Sequence, residues 1–199
     1  IAAMKQQGLL ERFIPDNARR LPQQFRDQNE YWVATNFFIH APSFNLNLVP
    51  RGTEPKTLAD LLDPRWKGKL AWTSHATSSG APGFIGAALA ELGEEKGLAY
   101  LRELARQAIT PLGGSSRAAV DQVVAGEYPI VLQAMNHQPV ISARSGAPVD
   151  FIPLNPALGI LAATSLVKGA PRPNAGKLFI EFLVSEEGQK LFQKGDYIP

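Results

Sequence analysis

Apolar positions in this chain follow two rhythms. Residues 31–39, YWVATNFFI, form a nearly unbroken β-branched and aromatic run bounded by polar residues, which predicts a buried strand. FNLNLV at 44–49 alternates imperfectly and predicts a second strand, closed by Pro50 and Gly52. Short apolar runs at 69–73, 128–134 and 159–166 read as further strands, with 149–154 as an extended connection. Between these runs the spacing turns helical. Leu98, Leu101, Leu104 and Ala105 define a helix over 94–107, with Glu94 and Glu95 at its favourable end. Ala119, Val120, Val123 and Val124 define another, opened by Ser115 or Ser116 and closed by Gly126. Small residues over 82–92 predict a closely packed helix.

The ends are helical too. Residues 2–10 read as a helix ended near Gly8, and Leu9, Leu10, Phe13 and Ile14 add an apolar patch before Pro15. Residues 17–30 are polar and read as a loop with at most one helical turn. Asn174 starts a helix containing Leu178, Phe179, Phe182 and Leu183; a fresh capped turn at Ser185 then buries Leu191 and Phe192. Thr57 and Asp60 stand three apart before Leu58, Leu61 and Leu62, the spacing of a capping box, and Pro64 stops that short helix. Residues 144–148 are turn-like. Repeated strand–helix alternation favours an α/β lobe over a sandwich or a bundle.

Composition narrows the function classes. Of 199 residues, 45% are apolar, enough for real cores. Twenty basic and 18 acidic residues are interspersed and leave a formal charge of +2, which gives no footprint for nucleic acid or an anionic membrane. A small anion needs only local charge. With no cysteine, disulfides, thiolate metal sites and thiol nucleophiles are excluded in these residues. No apolar run approaches the roughly 20 residues a spanning helix needs, so no direct membrane insertion is expected. The chain opens at Ile1 without a charged and apolar leader, as a precursor's signal peptide would be.

Several segments in order resemble the bacterial periplasmic solute-binding proteins of ABC transporters, type II, in the group related to ferric-iron binders. QQGLLERF (6–13) is similar to the end of a first-lobe helix, YWVATNFF (31–38) to a strand of that lobe, and FNLNLVP (44–50) to the crossover strand. LDPRWKGKLAW (62–72) resembles the segment just beyond the crossover. GGSSRAAVDQVVAGEYPIVLQAMNH (113–137) resembles a second-lobe helix, strand and ligand-side loop, and RPNAGKLFIEFLVSEEGQKLF (172–192) the return to the first lobe. The resemblance implies a two-lobed α/β fold with crossover strands and a cleft ligand. It places 1–45 in the first lobe, 46–152 in the second, and 153–199 back in the first. The family's N-terminal portion, with its opening strand and first ligand loop, has no counterpart here, and relatives continue beyond the final GDYIP. The first lobe is therefore expected to be incomplete and to expose apolar surface. Strands 31–39 and 159–166 are expected in one sheet, apart from the sheet holding 69–73 and 128–134.

Candidate site residues cluster at predicted helix starts. Thr77, Ser78, Ser79 and Gly80 combine hydroxyls with exposed amides, able to donate to several oxygens of an anion; an ordinary helix cap uses the same residues. Ser115 and Ser116 repeat that chemistry after Gly113 and Gly114, with Arg117 as an anion partner or a surface charge. Asn136 and His137 follow a strand end, where open α/β sheets place ligand groups. Ferric-binding relatives read Asn-His-Tyr-Tyr there, whereas this chain reads Asn136, His137, Gln138, Pro139. Both phenolates are missing, and Tyr31, Tyr100, Tyr128 and Tyr197 are not adjacent, so no tyrosine-based ferric site and no other metal site is expected.

His40 and His75 lack ligand spacing; Asp60 and Asp63 read as a cap and a turn, and Trp66 and Trp72 as anchors of turn and strand. Nothing matches a nucleophile elbow, a phosphate-binding lysine loop or a dinucleotide fingerprint, so neither enzyme activity nor a cofactor is expected. The function implied is binding of a small polar, anionic solute in the periplasm for an ABC permease of the inner membrane. The alternative is a ligand-sensing module.

Overall fold

The computed structural model describes residues 1–74, 80–155, 157–195 and 197–198. Helix α1 (Ala2–Gln6) ends just before Gly8, which holds φ +67, and strand β1 (Leu10–Glu11) follows. The polar stretch after it folds into two 3-10 turns, Asp16–Arg20 and Gln23–Phe25. The chain then runs as one long strand, β2 (Val33–Asn45), in place of two strands at 31–39 and 44–49. Asn45 explains the difference at the far end. Its Oδ1 accepts from Asn47 N at 2.8 Å and its carbonyl from Val49 N at 2.9 Å, so the backbone turns where FNLNLV was expected to stay extended.

Beyond Asn45 the capping box forms as read. Thr57 Oγ1 accepts from Asp60 N, and the Asp60 carboxylate accepts from the amides of Lys56 and Thr57. The turn it opens is 3-10, Ala59–Leu62, and a second, Pro64–Trp66, is capped by Asp63. Strand β3 (Leu70–Thr73) leads to helices α2 (Gly80–Leu92) and α3 (Glu94–Ala105). Strand β4 (Thr110–Leu112), helix α4 (Ser116–Val124), strand β5 (Ile130–Met135) and helix α5 (His137–Arg144) follow. Strands β6 (Val149–Phe151), β7 (Leu158–Thr164) and β8 (Leu166–Val167) precede helices α6 (Pro173–Leu183) and α7 (Glu186–Lys194). Among the described residues no helix is long and apolar enough to cross a membrane.

The chain divides into two compact units: Ile1–Phe38 with Ile160–Pro199, and Ile39–Gly159. These limits differ from 45/46 and 152/153 because residues 40–45 of β2 pair with β5 and β6, and because Leu154 packs in the second unit's core while Asn155 bridges Thr57. For the first of these reasons the expectation of two separate sheets fails: β2, β7, β3 and β5 belong to one six-stranded sheet, in which β2 pairs with β7 and also with β5 and β6. In the first unit, β1 pairs antiparallel with β8, and Ile14, Ala18, Val33, Leu166 and Ile180 form the core. Two apolar residues of α6 stay outside this core. Leu178 and Phe179 are 72% and 59% exposed, because the docked face is Ile180 and Glu181. The Glu181 carboxylate accepts from the amides of Asp16 and Asn17, which fixes the helix's rotation. Leu191 on α7 is exposed likewise, since Gln189 is the residue turned inward, donating to the carbonyls of Thr35 and Leu183.

In the second unit the strand order is β4-β3-β5-β2-β6. Strand β3 is parallel to both β4 and β5, while β2 is antiparallel to β5 and β6. Phe84, Ala88, Tyr100 and Leu104 from α2 and α3 pack with Leu70, Ile130 and Leu132. Ala119, Val120 and Val123 from α4 pack with Ala71, Val131 and Ala134 in a separate cluster. Leu98 of α3 is exposed and Tyr100 is buried, so the helix turns a slightly different face inward than its leucines suggested. Opposite Pro42 the β2–β5 register slips: Ala41 faces Ala134 but Ser43 faces Val131. Two residues of β5 therefore oppose Pro42, a bulge suited to a residue with no N–H to give.

Candidate functional site

The parallel strands β3, β4 and β5 all end at the same edge of their sheet, and each is followed by a helix. Starts of α2 at Gly80, α4 at Ser116 and α5 at His137 therefore belong to one edge, the carboxyl ends of the strands, where open α/β sheets bind ligands. The strand ends are tied: Ser74, just past β3, donates its N and Oγ to Leu112 O at 3.0 and 3.2 Å. Each helix start presents amides that have no partner within the helix, and the helix dipole adds partial positive charge.

At α4, Ser115 is the cap, its Oγ accepting from Ala118 N at 3.2 Å; the amides of Ser116 and Arg117 precede it in the first turn. Gly114 holds φ +88, the left-handed turn that lets the chain enter the cap. At α5, Pro139 occupies the third position, where its missing N–H costs no helix bond. The resemblance implies a ligand-side loop here, whereas the structure forms a helix at 137–144. Asn136 N donates to Ile39 O at 2.9 Å and its Oδ1 accepts from Ile39 N at 3.1 Å, so its side chain extends the β2–β5 ladder. His137 is buried.

Arg117 is not a bare positive charge. Its guanidinium donates to Gln138 O at 3.2 Å, to Ser142 Oγ at 2.8 Å, and to the Asp121 carboxylate. Gln138 Nε2 donates to Ser116 Oγ at 3.1 Å. Ser115, Ser116, Arg117, Asn136 and His137 thus come together on two neighbouring helix starts. Thr77, Ser78 and Ser79 lie outside the described residues; Gly80, next in the chain, begins α2.

Sequence reasoning set His40 aside, yet it pairs with Met135 at the same strand edge. With Gln133 it lines a cavity bounded by Pro42, Leu58, Phe84, Ala87, Leu132 and Leu154. No sequence signal links His40 to Gln133, 93 positions apart; the β2–β5 register, with His40 opposite Met135, brings them together. Burial holds the His40 imidazole below its ordinary value of 6.5. A base depressed in this way is neutral in the fold but takes a proton in the unfolded chain. Stability is therefore expected to fall as pH drops below about 6.5, until the folded imidazole also titrates. Denaturant melts at stepped pH should show this slope, and His40→Gln should flatten it; an equal slope in both proteins would assign it elsewhere.

Among the described residues there is no group of three or more His, Cys, Asp or Glu side chains placed to hold a metal ion. Tyr100 is buried in the α2–α3 core and Tyr128 packs beside the α4 cluster.

A family model described as bacterial extracellular solute-binding protein matches residues 1–199. A Salmonella typhimurium protein, provisionally named a 2-aminoethylphosphonate-binding periplasmic protein, is 28% identical over 193 residues, covering 91% of this chain and 53% of its own length. Iron uptake protein A1 of Synechocystis is 24% identical over 191 residues, 89% of this chain and 52% of that protein. The chain thus spans about half the length of these curated relatives. Among solved structures, the fold is similar to AfuA of Actinobacillus pleuropneumoniae with fructose-6-phosphate bound (TM-score 0.76, 24% identity, 98% of this chain, 63% of the other). It is also similar to iron-bound HitA of Pseudomonas aeruginosa (TM-score 0.77, 22% identity, 99% and 65%). These likenesses show the mixed α/β fold of type II periplasmic binding proteins.

Proposed function

Because the chain belongs to the bacterial extracellular solute-binding protein family, we propose that it binds a small polar, anionic solute in the periplasm and delivers it to an ABC permease. One observation carries the reading: α2, α4 and α5 start at the same edge of three parallel strands. Amides of Ser116, Arg117, His137 and Gln138 there favour oxyanions through hydrogen bonding and helix dipoles, with no net charge needed. Gly80, Ser115, Ser116, Asn136 and His137 border the solute, and Thr77, Ser78 and Ser79 precede Gly80 in sequence. Catalysis has no part: selectivity comes from complementary donors, and transport energy from the partner ATPase.

The named relatives suggest the panel: 2-aminoethylphosphonate, fructose 6-phosphate, inorganic phosphate and Fe³⁺. Calorimetry is expected to find binding of a phosphonate or phosphate ester that Ser116→Ala weakens severalfold with little change in melting temperature. Ser115→Ala, by contrast, should cost about 0.5–2 kcal/mol of stability as a lost cap. Iron should give no visible phenolate charge-transfer band. A band lost on Tyr128→Phe, with no oxyanion binding, would replace this reading with a ferric one.

A further inference from the structure

We infer that Arg117 is a positioning residue, one that sets the spacing of the α4 and α5 starts and does not itself meet the solute. The inference rests on the site proposed above. Arg117 stands in the first turn of α4, and Asp121 is one turn further along the same helix. Their ion pair aims the guanidinium, and its other two contacts cross to α5, at Gln138 O (3.2 Å) and Ser142 Oγ (2.8 Å). Gln138 closes the loop by donating back to Ser116 Oγ at 3.1 Å. Both α5 partners are buried.

This side-chain clamp matters because the backbone does not join the two starts. Strand β3 lies between β4 and β5, so no ladder runs directly from the strand before α4 to the strand before α5. A planar fork contacting the first and second turns of α5 resists both sliding and rotation of that helix against α4. Three of the five guanidinium N–H groups serve this clamp. A lysine offers a single point charge and cannot reproduce the fork.

The test uses inorganic phosphate as probe and backbone amide NMR as readout. Arg117→Lys and Arg117→Met are each expected to weaken phosphate about tenfold, and Ser142→Ala to act in the same direction without adding to Arg117→Met, as coupled residues do. In the phosphate-free protein, Arg117→Lys and Ser142→Ala should both shift the amide signals of Ser116 and Gln138. An Arg117→Lys protein with wild-type affinity, beside an Arg117→Met protein that loses it, would show a direct charge contact and overturn the inference. So would lowered melting with unchanged affinity, the mark of simple support. If wild type binds neither phosphate nor 2-aminoethylphosphonate, the solute reading fails, and the clamp is judged on the phosphate-free signals alone: unmoved Ser116 and Gln138 amides refute it.

Discussion

Replacing Gly188 by alanine is expected to destabilise the first unit by more than about 3 kcal/mol, at the upper end of overpacking costs. A Cβ there would lie 2.1 Å from Phe182 O, 3.0 Å from Phe182 C and 3.1 Å from Leu183 Cα, all backbone atoms that cannot rotate away. The same carbonyl already accepts from Ser185 N and, at 2.7 Å, from Ser185 Oγ, which in turn caps α7 through Gly188 N. One methyl group therefore strikes the corner that joins α6 to α7 and its cap together. Gly176→Ala is the control. Its Cβ would meet only Leu166 Cδ1, at 2.9 Å, the tip of a side chain that can turn. Its cost should stay within about 1 kcal/mol, offset by alanine's better helix propensity. Denaturant unfolding of both variants decides the point; equal midpoints for Gly188→Ala and wild type would show that the corner is misdescribed.

Asn45→Ala should cost the second unit about 1–3 kcal/mol, two lost hydrogen bonds at about 0.5–1.5 kcal/mol each. Asn45 is 2% exposed. Its Nδ2 donates to Val123 O at 2.7 Å, a carbonyl at the end of α4 that also accepts from Gly126 N at 3.0 Å, and its Oδ1 accepts from Asn47 N. Asn45→Asp keeps the second bond but turns an acceptor towards the Val123 carbonyl, so it should fare no better. Since α4 carries Ser116 and Arg117 at its other end, phosphate affinity should fall as well. Calorimetric melting shows the first effect and titration the second. A stable Asn45→Ala protein with a normal α4 would mean that Asn47 and Val123 find other partners.

Local signals were the legible part of this chain. Ser115, Ser185 and the Thr57–Asp60 box cap as their spacing indicates, because a cap depends on three or four consecutive residues. Strand–helix alternation indicated the α/β class for the same reason. What spacing cannot report is which side of an apolar helix meets the rest of the fold. Leu178, Phe179 and Leu191 sit at core-like positions but are exposed, the docking face being set by Glu181 and Gln189 through bonds to distant backbone. Helix α5 was hidden by Pro139, a helix breaker everywhere but in the first turn. At the site, the hydroxyls before α4 were visible, but the role of Arg117 depends on Ser142, 25 residues away, and that of His40 on a strand pairing.

The central claim is that the helix starts of the second unit hold the solute's oxyanion, and amide NMR of the 199-residue chain titrated with 2-aminoethylphosphonate and with phosphate tests it most directly. Saturable shifts are predicted at Gly80, Ser116, Arg117, His137 and Gln138, with the rest of the second unit little changed. No saturable shift at those amides, or shifts confined to the first unit, would contradict it.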